Sequence, residues 1–309
     1  MPWVPRGLRE GIVTTRYPRR PDGYGAGFHG AVVVGTAGAG AGAGGGAGAE
    51  PGRASADPYR AGADPGRKVR EAAERCPTAA ITLGAGGPRL DRGRCILCGR
   101  CVALAPGVFA FDPGFETAAP SRDALVVPPV DDGNLDVDLD VDLDVDATRR
   151  SLAGLVRALR RSVHIRHVDA GSDGSDEWEI AALTNPVYDV QRLGVFFTAS
   201  PKHADLLLVT GAGASGMLAP LRHTYELMPE PKIVVAAGVD TASGGMVGEG
   251  YATHGGVAPA VPVDVYVPGS PPSPFGILFG ILLAVGILGR AGTASVDRPS
   301  RDRPAGAGS

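Results

Sequence analysis

Four cysteines constrain this chain more than any other feature: Cys76, which is followed by Pro77, and the tight run Cys95-Ile-Leu-Cys98-Gly-Arg-Cys101. They are the whole thiol complement of the 309 residues. Two-residue spacers gather three thiols round one small centre, and an upstream fourth completes the set. Such a set suits a cubic [4Fe–4S] cluster held by thiolates. Four thiolates also suit a structural zinc ion, but the doubled spacing and the Cys-Pro partner favour iron and sulfide. No basic-then-apolar leader opens the sequence as read, which predicts a reducing cytoplasm and cysteines that act as ligands rather than disulfides.

The run is that of bacterial ferredoxins, in which a further cysteine after a three-residue spacer, followed by proline, ligates a second cluster. Ala105-Pro106 stands at that place here. Cys76-Pro77 is the matching cysteine of the other half-motif, and the three positions before it, Gly66, Val69 and Ala72, are not thiols. One ligand set is complete and the other is empty, so one cluster is expected, held by Cys76, Cys95, Cys98 and Cys101.

The 47 glycines and 27 prolines are concentrated in a few stretches and divide the chain. Residues 1–34 form an arm that ends in Ala31-Val-Val-Val34, and 35–66 a Gly/Ala-rich linker without the side chains to build a core. Residues 67–117 hold the ferredoxin-like module, entered by a short helical pattern from about Lys68 and closed by Val108 to Phe111. Residues 118–150 form an acidic spacer in which every second residue of Leu135 to Asp146 is Asp. A row of like charges repels itself and Asp is a poor strand former. A calcium site there lacks the glycine turn and closing Glu of known loops.

From residue 151 to about 290 helices alternate with short apolar runs. A helix is expected over Leu152–Arg161, a strand over Val163–Val168 and a helix over Asp176–Leu183. Further strands are expected over 205–210, 232–237 and 263–267, with no polar alternation, as in strands covered on both faces. The repetition predicts an α/β fold, a flavodoxin-like parallel sheet preceded by a small ferredoxin-like α+β module. The apolar run Phe275–Leu288 is short of the ~20 residues of a bilayer span, and 291–309 reads as a disordered tail. The formal net charge of −3 with mixed signs supplies no basic face for nucleic acid, although five arginines make the arm locally basic.

The first part resembles the ferredoxin-type subunit of respiratory complex I and of membrane-bound [NiFe] hydrogenases, down to Thr14-Thr-Arg-Tyr-Pro18 and Phe28-His-Gly30 in the arm. The second part carries His164-Ile-Arg-His-Val-Asp-Ala-Gly-Ser172, Glu179 to Asp189, Ala199-Ser-Pro-Lys-His-Ala-Asp205 and Val267-Pro-Gly-Ser-Pro-Pro-Ser-Pro274. In these it resembles the 20 kDa (B) subunit of NADH:quinone oxidoreductase and the small subunit of energy-converting hydrogenases. The resemblance implies four cysteines for a terminal cluster that faces the quinone or NiFe site. The corresponding residues are Asp173, Asp176, Asp240 and Ser270. Hard oxygen donors match an iron–sulfur core poorly, so the resemblance implies a domain that has lost its own cluster.

Two roles suit the aspartates. Asp173, Asp176 and Glu177 lie where a strand hands over to a helix and can cap its free N–H groups. Alternatively Asp173, Asp176 and Asp240 converge as a hard-metal or proton-handling site. Gly211-Ala-Gly-Ala-Ser-Gly216 matches a dinucleotide fingerprint in a strand-to-helix context, but only Asp240 offers itself, late, as the ribose acid. His164 and His167 read as strand residues, one packed and one facing a partner.

The function expected is an iron–sulfur electron-transfer subunit of a complex I-like or hydrogenase-4-like membrane oxidoreductase, not a stand-alone enzyme. Its partners would be a quinone- or NiFe-type large subunit, membrane anchor subunits and a redox donor protein, with the chain peripheral on the cytoplasmic face. A structural or regulatory subunit is the alternative, and a free-standing NAD-binding oxidoreductase the third.

Overall fold

In the computed structural model, residues 3–20, 23–35, 65–84, 87–127 and 162–286 are described. The expected helix at 152–161, most of the Gly/Ala linker, the aspartate repeat and the tail lie outside these residues.

The larger domain is built on five parallel strands, β6 (Val163–Asp169), β7 (Val195–Phe197), β8 (Leu206–Thr210), β9 (Ile233–Ala237) and β10 (Val265–Val267). Their order across the sheet is β7-β6-β8-β9-β10, the 2-1-3-4-5 arrangement of flavodoxin-like folds. Every residue of β8 and β9 is buried, because both faces of the sheet are covered. Leu206 and Leu208 belong to the core on one face, Leu207 and Val209 to the core on the other, as the two-residue period of a strand dictates.

The predicted helix after β6 is α4 (Ser175–Ala182), and α5 (Ser215–Leu227) follows β8. The apolar run near the end forms α7 (Pro274–Ala284), capped by Ser273, whose Oγ accepts from Gly276 N at 3.2 Å, with Pro274 at the first helical position. This helix is buried all round. One side meets β10 so closely that a Cβ on Gly280 would stand 2.3 Å from Val267 Cγ2; the other side is covered by chain from the first part of the protein. Among the described residues no helix is long and apolar enough to cross a membrane.

The first module contains α2 (Pro65–Glu74), a short α3 (Arg100–Leu104) and two small antiparallel sheets. One sheet pairs β1 (Ala31–Val34) with β4 (Phe109–Asp112); the other has the order β2-β3-β5, from Ile81–Gly84, Gly87–Asp91 and Val126–Val127. Hydrogen bonding therefore extends this module past the 67–117 span at both ends. Val32 and Val34 of the expected arm, and Val127 of the expected spacer, are buried in the same core as Leu90, Val108 and Phe109. Apolar residues separated by polar or glycine-rich stretches are drawn together because none has another place to bury its surface.

The rest of the arm, including α1 (Trp3–Glu10), precedes this strand. Tyr17 is buried against Phe115 and Phe275, with ring centroids 5.0 and 6.2 Å away. Its hydroxyl donates to Glu116 Oε1 at 2.9 Å. Thr15 N donates to Val187 O at 2.8 Å, and Arg192 Nη2 donates to Thr15 O at 2.9 Å. Arm, module and sheet domain thus share one aromatic cluster centred on Phe275.

Candidate cofactor site and the aspartate site

Cys76 follows α2, and the other three cysteines lie on the loop that leads into α3. All four line one cavity, together with Pro77 and Ile81, with an open volume of about 350 Å³ that includes solvent at its mouth. Cys101 is buried, Cys76 and Cys95 are half-buried and Cys98 is exposed. Left-handed backbone at Ala79, Leu97 and Gly99 (φ +50°, +55° and +74°) curls the two segments so that backbone N–H groups meet the sulfurs. Ala80 N donates to Cys76 Sγ at 3.3 Å, and the amides of Leu97 and Val102 act on Cys95 and Cys101.

Burial pushes the Cys95 thiol up to about 11, with the other three thiols adding to the rise. Cys101 is raised for the same reason. Four sulfurs within electrostatic reach of one another resist ionising together unless a positive centre sits between them, and iron supplies one. Arg92 adds a local positive charge: its guanidinium is largely buried, feels Asp112 and Cys95, and has its Nε without a hydrogen-bond partner among the described residues.

Among the described residues no group of three or more His, Cys, Asp or Glu side chains gathers closely enough to hold a single metal ion. Four thiols lining one cavity are the donor set that a [4Fe–4S] cluster takes.

Asp173, Asp176 and Asp240 lie at the carboxyl ends of the parallel strands. The crevice between β6 and β8, where the strand order reverses, is the usual ligand position in such sheets. Asp173 is exposed and makes a local turn, its Oδ1 accepting from Ser175 N at 2.9 Å and Ser175 Oγ at 2.6 Å, and these bonds hold its carboxyl below the usual range. The residue before α4 is Gly174, which offers no side-chain cap. Asp176 is only 3% exposed and makes no hydrogen bond among the described residues. The capping role therefore holds for Asp173, as a turn, and not for Asp176.

Asp240 lies in α6 (Val239–Ser243), directly after β9, and acts electrostatically on Asp176. Gly238 N donates to Val267 O at 2.9 Å and Val239 N to Gly269 O at 2.8 Å, which brings the loop of Asp240 against that of Ser270. Ser270 itself is exposed, and among the described residues no hydrogen bond or charge interaction ties its side chain to the aspartates. The structure brings Asp173, Asp176 and Asp240 together and leaves Ser270 at the edge.

Beside them runs a polar chain that sequence spacing did not reveal. His167 Nε2 meets Thr210 Oγ1 at 3.0 Å, Thr210 Oγ1 donates to Glu177 Oε1, and Ser172 Oγ donates to Glu177 Oε2 at 2.7 Å. Burial lowers the His167 pKa, opposed by Glu177 and Asp169. His164 stacks on Phe196 and is more exposed. The first two glycines of the G-x-G-x-x-G turn have packing roles: a Cβ on Gly211 would stand 2.6 Å from Gly171 C, and one on Gly213 2.1 Å from Gly256 O. Ala212 N and Ala214 N, which a phosphate would need, already donate to Gly171 O and Ala170 O at 3.1 and 2.8 Å.

The fold and site define a class: a flavodoxin-like domain fused to a small ferredoxin-like module with a four-thiol cavity. Residues 89–146 match the model of a 4Fe-4S single cluster domain, and residues 174–284 that of the NADH ubiquinone oxidoreductase 20 kDa subunit. Formate hydrogenlyase subunit 7 of Escherichia coli is 40% identical over 136 residues, 44% of this chain and 53% of that protein. The probable membrane-bound hydrogenase subunit mbhJ of Pyrococcus furiosus is 40% identical over 136 residues, 44% of this chain and 81% of that protein. An NADH-quinone oxidoreductase subunit of Citrifermentans bemidjiense is 43% identical over 104 residues, 34% of this chain and 61% of that protein. The chain belongs to the NADH ubiquinone oxidoreductase 20 kDa subunit family. It spans about half the length of the formate hydrogenlyase subunit and about three fifths of the quinone oxidoreductase subunit.

Proposed function

We propose that this chain is an iron–sulfur electron-transfer subunit of a complex I-like or hydrogenase-like membrane oxidoreductase, carrying one [4Fe–4S] cluster on Cys76, Cys95, Cys98 and Cys101. The observation that carries it is the single cavity lined by all four thiols. Such a cluster, when bound, supplies one-electron transfer. The protein's part is to hold the sulfurs, donate Ala80 N–H to Cys76 and place the Arg92 charge beside Cys95. The parallel-sheet domain serves as the docking body for a large quinone- or NiFe-type subunit and, through it, for membrane anchor subunits on the cytoplasmic face. In support, Trp178, Met246, Val247 and Tyr251 are exposed on that domain, and exposed large apolar groups favour partner surfaces.

The test is anaerobic purification followed by iron and sulfide analysis and redox titration. The expected result is about four irons and four sulfides per chain, broad visible absorption, and loss of both in Cys76→Ser. A zinc-loaded chain without that absorption overturns the proposal. A cluster that no donor reduces within the purified complex would favour a structural or regulatory subunit instead.

A further inference from the structure

We propose that Asp176 and Asp240 form a proton-binding site at the carboxyl ends of β6 and β9, in which one proton is held on Asp176 beside the Asp240 carboxylate. The inference goes beyond the electron-transfer role and does not rest on the thiol cavity.

Asp176 is buried to 3% exposure with no hydrogen-bond donor among the described residues. A carboxylate so placed is far costlier than the neutral acid. Its Oδ2 is aimed at the turn after β9, where a Cβ on Gly238 would stand 2.5 Å away. Asp240 occupies the same turn, and a Cβ on Gly245 would fall on its Oδ1. Two glycines with positive φ, +95° and +55°, thus leave the room that the two carboxyl groups fill.

The charged groups that face Asp176 are all acidic. They are Asp240 from α6, Glu177 from α4 itself, Asp173 from the loop before it and Asp169 from the end of β6. Helix α7, which packs on α4, carries no charged residue. The first turn of α4 favours a negative charge, but burial and then the four acidic neighbours outweigh it and push the Asp176 carboxyl up to about 8. Asp240 is raised as well, by burial and by Asp173. The ligand is the proton, which neutralises a buried carboxylate without needing further ligands. Binding adds one proton from water to a carboxylate oxygen of Asp176 and release returns it, with no other bond changed.

The experiment is an infrared pH titration of the full chain, following carboxylic-acid C=O absorption. The expected result is an acid band that survives at neutral pH and disappears with a midpoint near 8. Asp176→Asn abolishes it, and Asp240→Asn lowers the midpoint by about one unit or more through removal of the neighbouring charge. Absence of the band at neutral pH, or its persistence in Asp176→Asn, overturns the proposal. So does its displacement by about millimolar magnesium or calcium, which would reveal a cation site. If Asp176→Asn does not fold, Asp240→Asn decides: an unchanged midpoint overturns the site. Visible absorption of the same samples reports the cluster separately, so failure of either proposal is distinguishable.

Discussion

Asp91 and Arg122 form a forked ion pair, with Nη1 donating to Oδ1 at 2.7 Å and Nη2 to Oδ2 at 2.6 Å, while Arg122 Nε reaches Ala242 O at 3.1 Å. Asp91 ends β3 of the thiol module, and Ala242 lies in α6 of the sheet domain, two residues from Asp240. One guanidinium therefore ties the two modules together. Arg122→Ala is expected to cost about 2–3 kcal/mol, since it leaves a half-buried carboxylate without its main partner. Arg122→Lys, which keeps the charge but not the fork, falls between. Denaturant unfolding measures the loss.

The stability of the chain should fall with rising pH because of Asp176. Its carboxyl holds a proton up to about pH 8 when folded but ionises near 3.8 as a free group. Between those values the folded state binds more protons than the unfolded one, so stability is complete below the lower value and is lost through the upper one. Asp176→Asn removes this loss and is expected to be more stable than the parent at pH 9, by about 2–4 kcal/mol. Thermal unfolding at pH 5 and 9 checks the sign, and an Asp176 ionised throughout that range would leave no difference between parent and Asp176→Asn in their pH dependence.

Arg92 should set the potential of the cluster upward. A buried cation beside Cys95 stabilises the reduced, more negative form. Arg92→Gln is expected to lower the midpoint potential by roughly tens of millivolts, with iron content unchanged. A mediated redox titration reads it, and an unaltered potential would place the guanidinium charge too far away to matter.

Gly213→Ala should fail without any nucleotide being involved. At φ +73° its added Cβ would stand 2.1 Å from the Gly256 carbonyl, so the turn after β8 or the loop at Gly256 must shift. A loss of about 2–4 kcal/mol is expected. Gly216→Ala, which meets nothing within 4 Å, should be neutral or slightly stabilising. The contrast is measured by melting temperature.

The parallel sheet was legible because Leu206–Thr210 and Ile233–Ala237 are apolar at every position but the last of the first run, a pattern that only strands buried on both faces can use. The four thiols that line one cavity are those singled out by the doubled spacing and the Cys-Pro pair. The chain from His167 through Thr210 to Glu177 was not, because its members meet only once β6 and β8 pair and α4 folds back over their ends. Neither was the place of Val32 and Val34: a four-residue apolar run has no period long enough to name its partner, and it took pairing with Phe109–Asp112 to assign it. The aspartates separated for a similar reason, since equal residue types ended as an exposed turn former, Asp173, and a buried acid, Asp176.

The aromatic cluster round Phe275 sets an order of assembly. Tyr17, Tyr24 and Phe28 each meet Phe275 with ring centroids 5.5 to 6.2 Å apart, across the whole thiol module and most of the sheet domain in sequence. Seating the opening segment on α7 therefore closes a loop of well over two hundred residues, the kind of long-range contact that forms late in folding.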